Sequence, residues 1–334
     1  MARKILIVKL SALGDIIQAL EGVQAVDLGD QSIHFTWAVA AGFEPLLENE
    51  ARVDEIIAVP RRWSLANWMQ FRRDMAQRSF DMVVDLQGLL KSWLVGLSVK
   101  KKEVVSFGVG HCRDWLVPRC ADRTLNVTCA TSRASYAQLV EFAIHQDGGG
   151  KPVRAPVVHA GRAVRKICMS PGAGWPTKRL DKNQWVELVQ LVRNTHPGAV
   201  LELLWGTDAE REWLVAQAPL WAAARAEMLP KMDLRELKRY LCTVDLFVGM
   251  DSGPAHLAAH MGAAVMLFYG ASQPAYYGPR QGELPSFRAT CHLGVTFADR
   301  CKWLRKCTTC SAIQGIGVRE AWREFSQVLE QRDP

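Results

Sequence analysis

The chain has 334 residues, of which 49% are hydrophobic and 22% charged. That length and balance exclude a disordered, collagen-like or coiled-coil chain and point to two globular domains. The net charge is +7, and all of the excess falls in residues 151–334, because residues 1–150 hold 17 basic and 17 acidic residues. Such a charge suits anionic partners: phosphorylated ligands, an anionic membrane surface or nucleic acid. Without an RNP-like aromatic signature, a zinc finger or a long basic helix, nucleic acid is the weakest of the three.

In chain order, residues 4–9 form a short apolar run that predicts a buried strand. A small-residue turn and an apolar helical periodicity over 16–26 follow. Further strands are expected at 34–39, 55–59, 82–85 and 103–107, with helices at 66–79 and 89–98. The Gly-rich stretch 146–152 is the best linker. Alternation then restarts, with strands at 166–170, 200–205, 246–249 and 265–269. Helices are expected at 182–195, 210–218, 234–242, 254–261 and 318–330. The expectation is therefore an α/β protein with two doubly wound, Rossmann-like domains, 1–150 and 151–317, followed by a helix in 318–334. No apolar run reaches the roughly 18–20 residues of a membrane span. The apolar stretch Ile5 to Val8 is too short for a signal peptide, so the expected location is the cytoplasm.

Ligands of open α/β sheets bind beyond the carboxyl ends of the strands, so the loops that follow strands carry the chemistry. The first such loop is Lys9-Leu10-Ser11-Ala12-Leu13-Gly14-Asp15. Asp15 reads either as a helix N-cap or as an exposed carboxylate able to take a proton from a hydroxyl. Pro60-Arg61-Arg62-Trp63 and Asp85-Leu86-Gln87-Gly88-Leu89-Leu90-Lys91-Ser92 offer basic groups for phosphate or carboxylate, or else a solvated charge pair. In Ser170-Pro171-Gly172-Ala173-Gly174-Trp175-Pro176-Thr177-Lys178, small residues would let backbone N–H groups approach a phosphate, with Lys178 supplying charge. The spacing is not that of a P-loop. In Asp251-Ser252-Gly253-Pro254-Ala255-His256, a helix N-terminus offers N–H groups to an anion and His256 lies in its first turn. Of the twelve tryptophans, only Trp63 and Trp175 lie in loops suited to ligands. Nine cysteines, an odd number, argue against a disulfide framework. Cys291, Cys301, Cys307 and Cys310 are clustered, and are either the ligands of a structural zinc or iron or free thiols.

Together these motifs resemble glycosyltransferase family 9, the heptosyltransferases of lipopolysaccharide inner-core synthesis. The resemblance runs from residue 4 to about residue 280 and adds Phe35-Thr36-Trp37-Ala38-Val39 and Leu204-Trp205-Gly206 to the pieces above. The N-terminal pieces look most like heptosyltransferase I, which adds the first heptose to Kdo-lipid A. The resemblance implies a GT-B fold, two Rossmann-like domains facing a central cleft, with the acceptor on the first and the nucleotide sugar on the second. It implies inverting transfer from ADP-heptose to Kdo-lipid A or heptosyl-Kdo-lipid A, with no cofactor required for catalysis. Asp15 matches the general base. Gly172, Ala173, Lys178, Glu210, Asp251, Ser252, Gly253 and His256 match the donor site, and Ser11, Arg61, Arg62 and Lys91 the acceptor side. The final helix is expected to fold back on the first domain. A Kdo-lipid A acceptor implies peripheral contact with the inner membrane.

Two departures keep a second acceptor class open. The donor loop lacks the paired threonines of some heptosyltransferase I sequences, and the C-terminal cysteines are not a general feature of that subgroup. Related enzymes glycosylate autotransporter-type proteins, some with a Cys-rich metal motif and a large oligomer. A nucleotide-binding protein without transferase activity is a third reading, against which the intact Asp15, Lys178 and His256 argue.

Overall fold

The computed structural model of the chain describes residues 2–112, 114–129, 131–145, 163–172, 178–270, 272–279, 285–288 and 311–331. The chain divides into two compact units, Met1–Arg154 and Ala155–Pro334.

The first unit is built on strands β1 (Arg3–Val8), β2 (Ile33–Ala40), β3 (Glu55–Val59), β4 (Ser79–Asp85), β5 (Lys100–Phe107) and β6 (Arg123–Leu125). They form one parallel sheet in the order β3-β2-β1-β4-β5-β6. Ile5, Leu6, Ile7 and Val8 are fully buried. An unbroken apolar run, rather than an alternation, is what a parallel strand needs when both of its faces are covered.

The second unit repeats the plan with β7 (Lys166–Ser170), β8 (Val200–Leu203), β9 (Ala226–Met228), β10 (Leu246–Met250), β11 (Ala264–Phe268) and β12 (Ser286–Phe287). All pairs are parallel, in the order β12-β11-β10-β7-β8-β9. Counted from its own first strand, each sheet therefore runs 3-2-1-4-5-6. In that order the connections reverse between the first and fourth strands, and a crevice opens at their carboxyl ends. In the first unit the crevice lies where Val8 pairs with Asp85. In the second it lies where Ser170 pairs with Gly249. A Cβ on Gly249 would meet the Ser170 carbonyl oxygen at 2.7 Å, so this register requires glycine.

Three features depart from the sequence reading. Helix Ser132–His145 has no counterpart in it; this helix buries Ser132, Arg133 and Ser135 as well as Leu139 and Val140, which blurs its apolar stripe. Strands β6, β9 and β12 have only two or three residues each, too few to show a period. The third is the last helix, Val318–Glu330, which packs on the second unit's own core, a contact the sequence reading did not anticipate. Its Val318, Ala321, Trp322 and Phe325 lie in the second unit's core with Trp185, Val189 and Val192. Trp322 Nε1 donates to Thr195 Oγ1 at 3.0 Å, and Arg319 pairs with Glu187 at 2.7 Å. An amphipathic period shows that a helix has a buried face, not which surface buries it.

Candidate active site

In the first unit, the crevice is built from the exits of β1 and β4. Helix Leu13–Ala25 begins just after β1, with Ala12 at its N-cap. Asp15 is thus not the N-cap; it sits at the third helical position, where its Oδ2 accepts the Ala12 N–H at 3.2 Å. The carboxylate is half-exposed in the first turn of the helix. Ser11 is half-buried, and its N–H, like that of Leu10, donates to Gln87 Oε1, at 3.2 and 3.1 Å.

Beneath this loop lies a buried polar array. Lys9 Nζ donates to the Leu86 carbonyl at 3.0 Å and to the Tyr136 hydroxyl at 2.8 Å. Burial pushes the Lys9 ammonium below its ordinary value, and the charges of Asp15 and Asp85 partly restore it. Asp85 is buried too, and burial pushes its carboxyl up. The Gln87 and Gly88 N–H groups and the Ser92 hydroxyl counter that shift, at 2.9, 3.1 and 2.8 Å. Lys9, Gln87 and Asp85 are positioning residues that sequence reasoning left without a role. The available signal was a lysine and an aspartate at the ends of two apolar strands.

On the acceptor side, Arg61, Arg62 and Lys91 are all exposed. Arg61 lies over the Phe43 ring at 5.3 Å, and Lys91 Nζ lies 5.8 Å from the Trp63 ring. The latter contact brings the β3 exit and the helix after β4 together. Trp63 stacks on Trp68, and both pack against the core, so Trp63 is partly structural.

In the second unit, the exits of β7, β8 and β10 meet. Lys178 Nζ donates to Asp251 Oδ2 at 2.5 Å, and His256 Nε2 lies 3.5 Å from Asp251 Oδ1. Burial alone would push the Asp251 carboxyl up. The His256 hydrogen bond and the Lys178 charge outweigh it and hold the group well below the usual carboxylate range. Asp251 therefore holds the Lys178 ammonium in place. Ser252 is the N-cap of helix Gly253–His260, makes no cap hydrogen bond, and buries its Oγ without a partner among the described residues. A hydroxyl so placed at a helix N-terminus, next in sequence to the carboxylate that holds Lys178, is able to donate to an anionic oxygen.

Glu210 lies in the first turn of helix Asp208–Ala216, and its Oε2 accepts the Gly206 and Thr207 N–H groups at 2.9 and 3.0 Å. A Cβ on Gly172 would come within 2.3 Å of Glu210 Oε1, so Gly172 and Glu210 face each other directly. The structure thus gathers Gly172, Lys178, Glu210, Asp251, Ser252, Gly253 and His256 around one crevice. Ala173, Trp175 and the four cysteines Cys291, Cys301, Cys307 and Cys310 lie outside the described residues. Among the described residues, no His, Cys, Asp and Glu cluster is arranged to hold a metal. Two other cysteines are packing groups: burial pushes Cys112 up to about 11 and Cys168 up to about 12, which suppresses the reactive thiolate.

Two doubly wound sheets of the same strand order make a GT-B fold. The model of glycosyltransferase family 9 (heptosyltransferase) matches residues 68–295, and the chain belongs to that family. It is similar to lipopolysaccharide heptosyltransferase 1 of Pseudomonas aeruginosa, with 28% identity over 89% of this chain and 90% of that protein. Among solved structures, Escherichia coli heptosyltransferase WaaC with ADP superposes with a TM-score of 0.75 at 22% identity, over 98% of this chain and 99% of that one. The dodecameric iron-containing heptosyltransferase TibC shares the fold at a TM-score of 0.54 and 13% identity, over 98% of this chain and 77% of that one.

Proposed function

We propose that this chain transfers a heptose from ADP-heptose to a lipopolysaccharide inner-core acceptor, Kdo-lipid A or heptosyl-Kdo-lipid A, with inversion at the anomeric carbon. The observation that carries the reading is the Lys178–Asp251–His256 array beside the orphaned Ser252 hydroxyl at a helix N-terminus. This is a site for a diphosphate. Lys178 has three donors and spends one on Asp251, so it is held in place with two left for phosphate oxygens. Glu210, facing Gly172 at the β7 exit, is suited to accept the hydroxyls of a ribose.

In the reaction, an acceptor hydroxyl oxygen forms a bond to the anomeric carbon as the bond to the diphosphate oxygen breaks. ADP leaves with the electron pair, and the hydroxyl proton passes to the Asp15 carboxylate. Lys178 and the N–H groups after Ser252 stabilise the charge that develops on the leaving group. Arg61, Arg62 and Lys91 bind the anionic Kdo and phosphate groups of the acceptor. The base and the donor site belong to different units, so transfer requires that they be brought together. A lipid-embedded acceptor also calls for peripheral contact with the cytoplasmic face of the inner membrane.

The test is mass spectrometry of Kdo-lipid A incubated with ADP-heptose and the protein, beside its Asp15→Ala variant. A gain of one heptose mass that the variant loses supports donor, acceptor and base together. No gain, with ADP still binding, refutes the lipid acceptor and turns the search to protein acceptors. Metal analysis of the purified chain tests whether the four C-terminal cysteines hold iron or zinc.

A further inference from the structure

Ten large apolar side chains of the described residues are exposed, and six of them lie just beyond three strands of the first sheet. These are Leu65 and Met69 beyond β3, Leu90 beyond β4, and Val109, Trp115 and Leu116 beyond β5. Leu65 is 76% exposed, Val109 64% and Trp115 63%. Single exposed apolar residues are ordinary. These belong to three segments that contact one another. Lys91 against Trp63 joins the β3 exit to the helix after β4. The Leu90 N–H donates to Asp114 Oδ2 at 2.6 Å, and the Asp114 N–H to the Gly88 carbonyl at 3.4 Å, which joins that helix to the loop of Trp115 and Leu116. Because the strands are parallel, all three exits lie on one edge of the sheet.

Helix Leu65–Met75 shows the same division. Trp68, Phe71 and Met75 pack inward against the core. Leu65 and Met69 form a second apolar stripe about a quarter-turn away, continued by the exposed Arg72. Charge follows this edge as well. Residues 56–73 hold four arginines and no acid, within a domain whose charges sum to zero. Arg61, Arg62, Arg72, Arg73, Lys91 and Arg119 are all exposed. The acids of this edge are Asp15 in the loop after β1, Glu44 beside the Phe43 on which Arg61 lies, Asp74 at the helix end, and Asp114, whose carboxylate is engaged by the Leu90 amide.

We infer that this edge of the first unit docks on an anionic phospholipid bilayer. Leu65, Met69, Leu90 and Trp115 enter the boundary between headgroups and acyl chains, and Arg72, Arg73 and Arg119 lie among the lipid phosphates. Apolar tips among cationic side chains are the chemistry of interfacial binding. A polyanion without acyl chains would leave the apolar tips in water. Asp15 leaves the same sheet edge from β1, so a lipid-anchored acceptor could reach the base while its acyl chains stay in the bilayer. The inference rests on the reading of a lipid-borne acceptor.

The experiment is co-sedimentation of the full chain with phosphatidylethanolamine–phosphatidylglycerol vesicles and with neutral phosphatidylcholine vesicles, without donor or acceptor. The wild type is expected on the anionic vesicles and to be released by salt. Arg72→Glu with Arg73→Glu should lower partitioning by about fivefold or more per residue. Leu65→Ser with Trp115→Ser should lower it while the salt dependence remains. All variants should keep the wild-type unfolding midpoint and turn over a delipidated core oligosaccharide at the wild-type rate. A wild type that stays in the supernatant with anionic vesicles, or a Leu65→Ser/Trp115→Ser variant that binds like wild type, overturns the inference. So does a lipid-free wild-type dimer that the same variant makes monomeric, since that assigns the edge to a second copy. Vesicle binding that follows the variants without heptose transfer to either acceptor form supports the docking surface while refuting the proposed reaction.

Discussion

Replacing Asp251 by asparagine removes the charge at the centre of the second unit's array and keeps its volume. The carboxylate is 8% exposed and serves two groups, Lys178 at 2.5 Å and His256 at 3.5 Å. Without it the Lys178 ammonium, 17% exposed, loses its counter-charge. Removing one partner of a buried pair costs about 3–5 kcal/mol. Lys178 is partly open to solvent and can rehydrate, so the expected loss falls below that range, about 2–3 kcal/mol. For a unit of this size that is a fall in Tm of about 4–12 °C.

The sign with pH follows from the direction of the Asp251 shift. Its carboxyl is held below the ordinary value in the folded chain. Such a group stabilises the fold above its unfolded value, near 3.9, and loses that contribution as pH falls through the lower folded value. The gap between wild type and Asp251→Asn should therefore be full at pH 7 and narrow below about pH 4. Thermal unfolding at both pH values reads the gap, and hydrogen exchange of peptides covering β7 and β10 locates it. A variant that melts with wild type at pH 7, or a gap that widens on acidification, would refute the reasoning.

Gln87→Ala removes the acceptor shared by the Leu10 and Ser11 amides. It should lower kcat about tenfold through loss of alignment, with the donor KM unchanged; a change in donor KM alone would sink the positioning role. Gly172→Ala places a methyl within 2.3 Å of Glu210 Oε1 and should weaken ADP binding in titration calorimetry. Combined with Glu210→Ala, its effect should be less than additive, because the clash is gone. Trp322→Ala empties a fully packed position between the last helix and helix Lys182–Thr195, and should cost about 3–5 kcal/mol. Hydrogen exchange should place that loss in the second unit's helices; a loss confined to the first unit would refute the packing of Trp322 against helix Lys182–Thr195.

The strands that build both crevices were legible because parallel, doubly covered strands are written as unbroken apolar runs. Residues 4–9, 166–170 and 246–249 have that form, and β1, β7 and β10 cover them. Helix Ser132–His145 was hidden for the opposite reason. It packs so closely on helix Leu13–Ala25 that a Cβ on Gly22 would meet the Arg133 carbonyl at 2.8 Å. Its buried Arg133 is paired with Glu21 at 3.1 Å. A buried ion pair between helices places charge where a periodic reading expects an apolar side chain, so the stripe disappears although the face is buried.

Within the candidate site, the residues proposed to contact substrate were easier to read than those that hold them. Asp15, Lys178, Asp251 and His256 follow strands in short motifs, and the switch-point rule singles out those loops. Gln87 and Lys9 act only across space, between β1 and β4, and become visible once Val8 is set beside Asp85. The repeated strand order explains why both kinds arise in both units. In each sheet the first and fourth strands are neighbours whose loops part in opposite directions, so a side chain from one exit can brace the loop of the other. Gln87 from the β4 exit braces the loop that leads to Asp15. Asp251 from the β10 exit braces Lys178, which follows β7. The same topological position thus holds a carboxylate in one unit and a cation in the other, the two charges that the proposed transfer, with its attacking hydroxyl and departing diphosphate, would require.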